Sequence, residues 1–187
     1  SPEPRLVLVA NALGGSLQAQ ESIRGQAWLA EAGLGDVGVI NIDNSCAGGS
    51  TALLTADRLV RGGVETVLVV GVEQMSVGST RATIDAILGG VSPSSREHYG
   101  ALAAGRGTPL MALNAKWALE YLARYELPRE VLVEAAVRSA RLGAENPIGI
   151  RSRALTPDDV IASRMANDPL RRATCSGFAA GAAAVVR

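Results

Sequence analysis

Cys46 stands where two periodicities meet, and a thiol placed there can act as a nucleophile. Before it, Val37–Ile42 is a short apolar, β-branched run, the pattern of a strand buried on both faces. After it, Thr51–Arg61 turns helical, with Leu53, Leu54, Leu59 and Val60 along one side and Asp57, Arg58 and Arg61 along the other. A sulfur at the start of a helix faces unpaired amide N–H groups and the positive end of the dipole, which favour thiolate over thiol. Ala47, Gly48, Gly49 and Ser50 keep the first turn thin enough for an acyl group to reach it. Buried cysteines also serve as plain core filler. The strand–Cys–small–Gly–Gly–helix context argues for the reactive reading.

Acyl transfer needs a base and an oxyanion hole besides the poised thiol. The Cys46 backbone N–H can form part of the hole, but the base is missing. His98, the one histidine of the chain, sits in Arg96-Glu97-His98-Tyr99-Gly100 and reads as a surface or loop residue. Asp57, Glu65 and Glu73 make no spaced pair suited to acid–base work; Asp57 belongs to a solvated helix face, and Glu73 reads as a turn anchor that accepts backbone hydrogen bonds. Cys175, in Ala173-Thr174-Cys175-Ser176-Gly177, has no base or helix start beside it and reads as core or loop filling. No metal-ligand spacing and no phosphate-binding glycine motif is present. Gly14-Gly15 follows a strand without a trailing lysine, so it reads as a plain turn.

The elements that position Cys46 follow from the same patterns. Arg5–Ala10 reads as a strand, Gln18–Ala32 as a helix with Ile23, Trp28 and Leu29 on its apolar side, Cys46–Arg61 as the second helix and Thr66–Val72 as the third strand. Strand–helix–strand alternation with apolar strands predicts a layered α/β fold with a mostly parallel sheet and right-handed crossovers. From Ser79 to Pro109 regularity lapses: Gly89-Gly90, Ser92-Pro93-Ser94-Ser95 and Gly105-Arg106-Gly107-Thr108-Pro109 read as loop signals of an irregular insertion. Leu110–Arg124 and Pro128–Leu142 are helical, Thr156-Pro157-Asp158-Asp159 is a helix start, and Phe178–Val186 is a small-residue strand.

With 187 residues, 48% of them hydrophobic, the chain can bury a core, and it reads as one domain. Eighteen basic and 18 acidic residues are well mixed, so no basic stripe points to nucleic acid. Two distant cysteines make no disulfide framework, and no leader or membrane-length apolar run is evident, which sets a cytoplasmic protein without a membrane span as the expectation. Aromatics are only 3%, and the abundance of alanine and glycine favours layers that approach closely.

Asn44-Ser45-Cys46-Ala47-Gly48-Gly49-Ser50-Thr51-Ala52-Leu53 resembles the nucleophile motif of the thiolase superfamily, nearest its lipid-transfer, or sterol-carrier-protein-X, branch. Val67–Ser76 is similar to that family's next strand and its Glu-x-Met-Ser turn; Asn146-Pro147 and Ala154–Leu170 resemble the approach to the last strand, and Gly181–Arg187 that strand itself. One departure is Ala180, where related chains often carry an Asp before the Gly-Ala-Ala run. The resemblance implies an N-terminal thiolase half spanning 1–187: a layered α/β/α core, about 1–78 and 154–187, and a helical loop insertion, about 79–153. It further implies Cys46 as the catalytic nucleophile and Met75 and Met111 as substrate-binding candidates, although Met is equally common as packing. A coenzyme A thioester is then the substrate, with no bound cofactor, in Claisen condensation or thiolysis of a 3-oxoacyl-CoA.

In the family the catalytic His motifs and second reactive Cys lie in a second half, so the resemblance implies that this chain is incomplete alone. Two alternatives stand beside the acyltransferase. One is a non-catalytic assembly subunit that pairs as a homodimer through the strand around Val37–Ile42. The other is a lipid-transfer-type retro-aldolase on a steroid side-chain thioester, with a second thiolase half or a small OB-fold partner.

Overall fold

β1 (Leu6–Ala10) is apolar at all five positions because helices cover both faces of it. The computed structural model describes residues 4–103 and 107–187. The chain divides into two units, one formed by residues up to Gly90 together with Phe178–Arg187, the other by Val91–Gly177.

In the first unit β1 leads through α1 (Gly14–Gln18) and α2 (Arg24–Glu31) to β2 (Gly38–Ile42), then α3 (Gly48–Arg61), β3 (Val67–Gln74) and α4 (Thr80–Leu88). The sheet order is β2-β1-β3-β6, the last strand being Ala180–Val186. β1 runs parallel to β2 and β3, with Leu8 opposite Ile40 and Val69, whereas β6 is antiparallel to β3, with Leu68 opposite Val186. Alternation along β1 divides the core. Leu8 and Ala10 join Ala52, Ala56, Val67 and Val69 under α3, while Val7 and Val9 join Leu29 and Trp28 under α2. This is the layered, mostly parallel mixed α/β sheet that the strand–helix alternation predicts.

Several local expectations change. The helix expected over Gln18–Ala32 is two helices, because Ala19 (φ 59°) ends α1 in the left-handed region and Ile23 (φ 46°) turns the chain again before α2. Gly14-Gly15 opens α1 instead of forming a bare turn, since the Asn11 side chain accepts a hydrogen bond from Gly14 N–H at 2.8 Å. The Val37–Ile42 run is not buried on both faces: β2 lies at the sheet edge, where Ile40 and Asn41 are exposed and Val39 and Ile42 are half-buried. On α3 the inward face is made by Gly48, Ala52 and Ala56; Leu53 and Leu54 point to solvent, 47% and 54% exposed. Small residues face inward there because α3 packs close to the sheet.

Within the Ser79–Pro109 stretch, the described residues form two helices joined by a short turn. Ser79 caps α4 through a hydrogen bond from Ala82 N–H at 3.2 Å. In the second unit the Ser-Pro-Ser-Ser run is the start of α5 (Pro93–Ala103), with Ser95 N–H donating to Ser92 Oγ at 3.3 Å. Of the expected loop signals, Gly105 and Arg106 lie outside the described residues. α6 (Pro109–Arg124) and α7 (Glu130–Ala144) follow, then α8 (Pro157–Ala162), where Thr156 and Asp159 form a reciprocal capping box. A small hairpin of β4 (Met165–Asn167) and β5 (Leu170–Arg171) precedes β6. Ala103, Ala112, Ala115, Leu122, Ala140 and Val160 are buried in this unit.

Candidate active site

β2 ends at Ile42 and hands the chain to a turn that carries the thiol. Ser45 adopts φ 45°, a left-handed conformation costly for a residue with a Cβ, and Ser45–Ala47 then forms one 3-10 turn before α3 begins at Gly48. Cys46 therefore sits one turn ahead of the α-helix that the pattern starts at it, and it is exposed. The turn is braced from inside α3: Asn44 Nδ2 donates to Thr51 Oγ1 at 2.9 Å, and Thr51 Oγ1 donates to Ala47 O at 2.9 Å. Ala47 N–H closes the turn on Asn44 O at 2.9 Å. Ser45 Oγ lies 3.9 Å from the sulfur and donates towards it. Gly49 has open space where a side chain would project, so this flank of the sulfur is uncovered.

Two clefts meet at Cys46. One, of about 450 Å³, is lined by Asn11, Glu73 and the thin backbone of Gly48, Gly71 and Gly181. The other, of about 440 Å³, brings together Cys46, Met75, Leu13, Ile87, Arg24 and Glu73. Cys46 and Met75 thus line one cavity. Met111 lies in the other unit, half-buried near the start of α6, where its N–H donates to Thr108 Oγ1 at 3.2 Å.

Behind the thiol lies a polar network that periodicity does not reveal. Glu73 accepts hydrogen bonds from Ala12 N–H at 3.0 Å, Leu13 N–H at 3.2 Å and Asn11 Nδ2 at 3.0 Å, which makes it the turn anchor that the sequence suggests. Asn11 is 7% exposed, and its Nδ2 also donates to Val72 O at 2.8 Å, tying the ends of β1 and β3. Arg24 reaches in from α2: its Nη1 donates to Asn11 O at 3.1 Å and stands 3.5 Å from the Asp43 carboxylate in the turn before Cys46. The only local signal for this group was a polar Asn directly following the apolar β1 run.

The remaining candidates lie elsewhere. His98 is exposed on α5, its ring edge-on to Tyr99 at 5.5 Å, and it lines neither Cys46 cavity. Cys175 is half-buried and donates from sulfur to Arg171 O at 3.3 Å; it lines a separate cleft with Arg151, Arg153 and Arg172. Among the described residues no cluster of His, Cys, Asp and Glu gathers as a metal cage. No helix among them is long and apolar enough to cross a membrane.

The first unit is thus a layered α/β fold that carries an exposed cysteine on a strained strand-to-helix turn, open to clefts at the C-terminal ends of parallel strands. Residues 6–186 match the family model of the thiolase N-terminal domain, and the chain belongs to that family. It is 32% identical over 161 residues to sterol carrier protein 2 of Gallus gallus, a match covering 82% of this chain and 28% of that protein. Against an acetyl-CoA acetyltransferase of Methanothermobacter thermautotrophicus it is 29% identical over 158 residues, covering 83% of this chain and 38% of the relative. A solved chain described as the Ltp2-ChsH2(DUF35) aldolase superposes with a TM-score of 0.68 at 19% identity, covering 98% of this chain and 44% of that one. The chain spans less than half the length of each of these relatives.

Proposed function

We propose that this chain is the nucleophile-bearing half of a thiolase-type acyltransferase, with Cys46 as the acyl acceptor. The Cys46 sulfur attacks the carbonyl carbon of a coenzyme A thioester, the bond from that carbon to the coenzyme sulfur breaks, and coenzyme A leaves with the proton given up by Cys46. The observation that carries this reading is the exposed sulfur at the junction of two clefts, on a turn whose Ser45 backbone is held in an unfavourable conformation. Family membership and the acetyltransferase relative support it. Neither cleft contains a histidine, so the general base, worth about 10²–10⁴ in rate, comes from a second thiolase half or a partner chain.

Cys175 is the built-in reference for the test. In the native chain iodoacetamide and acetyl-CoA modify Cys46 faster than Cys175, as read by peptide mass spectrometry. Equal modification of the two thiols, or none at Cys46, removes the acyltransferase reading. Carbon–carbon cleavage of an acyl-CoA that persists in Cys46→Ser would replace it with a lyase.

The exposed edge of β2 supports a second reading, in which the chain's role is assembly. Unpaired backbone groups beside Ile40, 38% exposed, offer a strand surface that a second copy covers. Sedimentation equilibrium then gives a dimer that Ile40→Lys converts to monomer; a wild-type monomer at high concentration excludes it.

A further inference from the structure

The residue just ahead of Cys46 holds a backbone conformation that its own side chain disfavours. Ser45 stands at φ 45°, in the left-handed region, where a Cβ crowds the following carbonyl. Glycine adopts this region freely, but a serine stays there only when its surroundings hold it. The brace made by Asn44 and Thr51 acts after Ser45, on Ala47 O. On the upstream side stands Asp43.

The Asp43 carboxylate faces two ways. Its Oδ1 accepts the Ser45 N–H and its Oδ2 meets Arg24 Nη1, each at 3.5 Å. Arg24 is anchored independently of the turn: its Nε donates to Gln20 O at 3.0 Å and its Nη1 to Asn11 O at 3.1 Å. The Arg24 side chain is 16% exposed, against 59% for Asp43. Asn11 N–H in turn donates to Ile42 O at 3.3 Å, which fixes the end of β2 against the end of β1. A rigid, largely covered guanidinium thus reaches from α2 to a carboxylate that touches the Ser45 amide.

We infer that Arg24 and Asp43 are positioning residues for Cys46. The pair holds Ser45 in its left-handed conformation, which keeps the sulfur exposed with Ser45 Oγ directed at it from 3.9 Å. The role rests on Cys46 being the acyl acceptor. Charge alone gives a different expectation: loss of the Arg24 cation slows the thiol and loss of the Asp43 anion speeds it, because one favours thiolate and the other opposes it. A backbone prop gives both losses the same sign. Its effect also disappears in a Ser45→Gly background, where the left-handed conformation needs no support.

The test is a double-mutant cycle on the full chain. Iodoacetamide labels Cys46 and Cys175, peptide mass spectrometry gives both rates, and the Cys46-to-Cys175 ratio is the readout. Asp43→Ala and, independently, Arg24→Ala lower that ratio by roughly 5–30-fold, the population shift when one residue is free to leave the left-handed region. In the Ser45→Gly background each lowers it by no more than about twofold. A general loosening of the fold would instead act equally in both backgrounds. Asp43 is exposed, so its removal spares the core, and thermal unfolding reports which variants are folded. An unchanged or raised ratio in folded Asp43→Ala overturns the inference, and so does a loss of equal size in the Ser45→Gly background. A wild-type chain whose Cys46 reacts no faster than Cys175 is a separate result, which removes the acyl-acceptor reading and this role with it.

Discussion

The same substitution, glycine to alanine, has opposite signs at Gly25 and Gly49, and the difference tests the packing that delivers the site. Gly25 is buried at the start of α2, where a Cβ would lie 2.7 Å from Val39 Cγ1, 2.8 Å from Val9 Cγ2 and 2.9 Å from Asn41 Oδ1. All three are side chains of the sheet itself, and Asn41 is fixed by the Gly25 N–H at 2.7 Å, so relief requires α2 to lift off the sheet. Overpacking of this kind costs about 1–3 kcal/mol, against a helix-propensity gain for alanine of about 1 kcal/mol. The net loss of up to about 2 kcal/mol lowers the melting temperature by up to roughly 8 °C for a chain of this size. Gly49 has nothing within 4 Å of the added carbon, so Gly49→Ala keeps only the propensity term and gains up to about 1 kcal/mol. Thermal unfolding of the two variants beside wild type decides the matter. A Gly25→Ala chain more stable than the wild type, as Gly49→Ala is expected to be, refutes close seating of α2, and with it the placement of Arg24 beside Asn11.

Ile23 is a β-branched residue at φ 46° and 62% exposed, a conformation that costs about 1–2 kcal/mol and leaves little burial to lose. Ile23→Gly therefore raises the chemical-denaturation midpoint, and an unchanged or lowered midpoint argues against the turn between α1 and α2. Acid sensitivity follows from three carboxylates. Hydrogen bonds from Arg187 and Arg61 hold the Asp57 pKa below its ordinary value, that from Arg129 does the same for Asp168, and the Thr156 backbone and hydroxyl do so for Asp159. Because these folded-state values are depressed, the stabilisation is complete above about pH 4, the ordinary aspartate range, and is lost as pH falls through the lowered values. Asp159→Asn, which breaks the α8 capping box, makes the melting temperature less steep below that pH; an identical slope in mutant and wild type contradicts the assignment.

Local chemistry was legible wherever a residue acts on its own neighbours. The Thr156-Pro157-Asp158-Asp159 run announces α8 because the cap, the proline and the acid all act within one turn. The Cys46 junction was readable for the same reason, since strand and helix patterns abut there. The rest depends on distance or context. Asn11 meets Val72 and Glu73 from 61 and 62 residues away, a pairing that no short window contains. β2 looked like a central strand because an apolar run does not tell its position in the sheet, although Asn41 between Ile40 and Ile42 marks a solvated side. α4 and α5 were hidden by punctuation read with the wrong sense: Gly89 closes a helix, and Ser92-Pro93 opens one.

β6 carries a consequence for anyone handling the protein. Every one of its residues, Ala180–Val186, is solvent-exposed, none bears a charge, and its outer margin is hydrogen-bonded to no strand of the four-stranded sheet. Lysines or prolines are the usual guards against ribbon-to-ribbon fusion, and this segment has neither. Concentrated preparations will therefore thicken or precipitate through the Ala-Gly-Ala-Ala-Ala-Val-Val tract, and one lysine at Ala182 is the remedy to try.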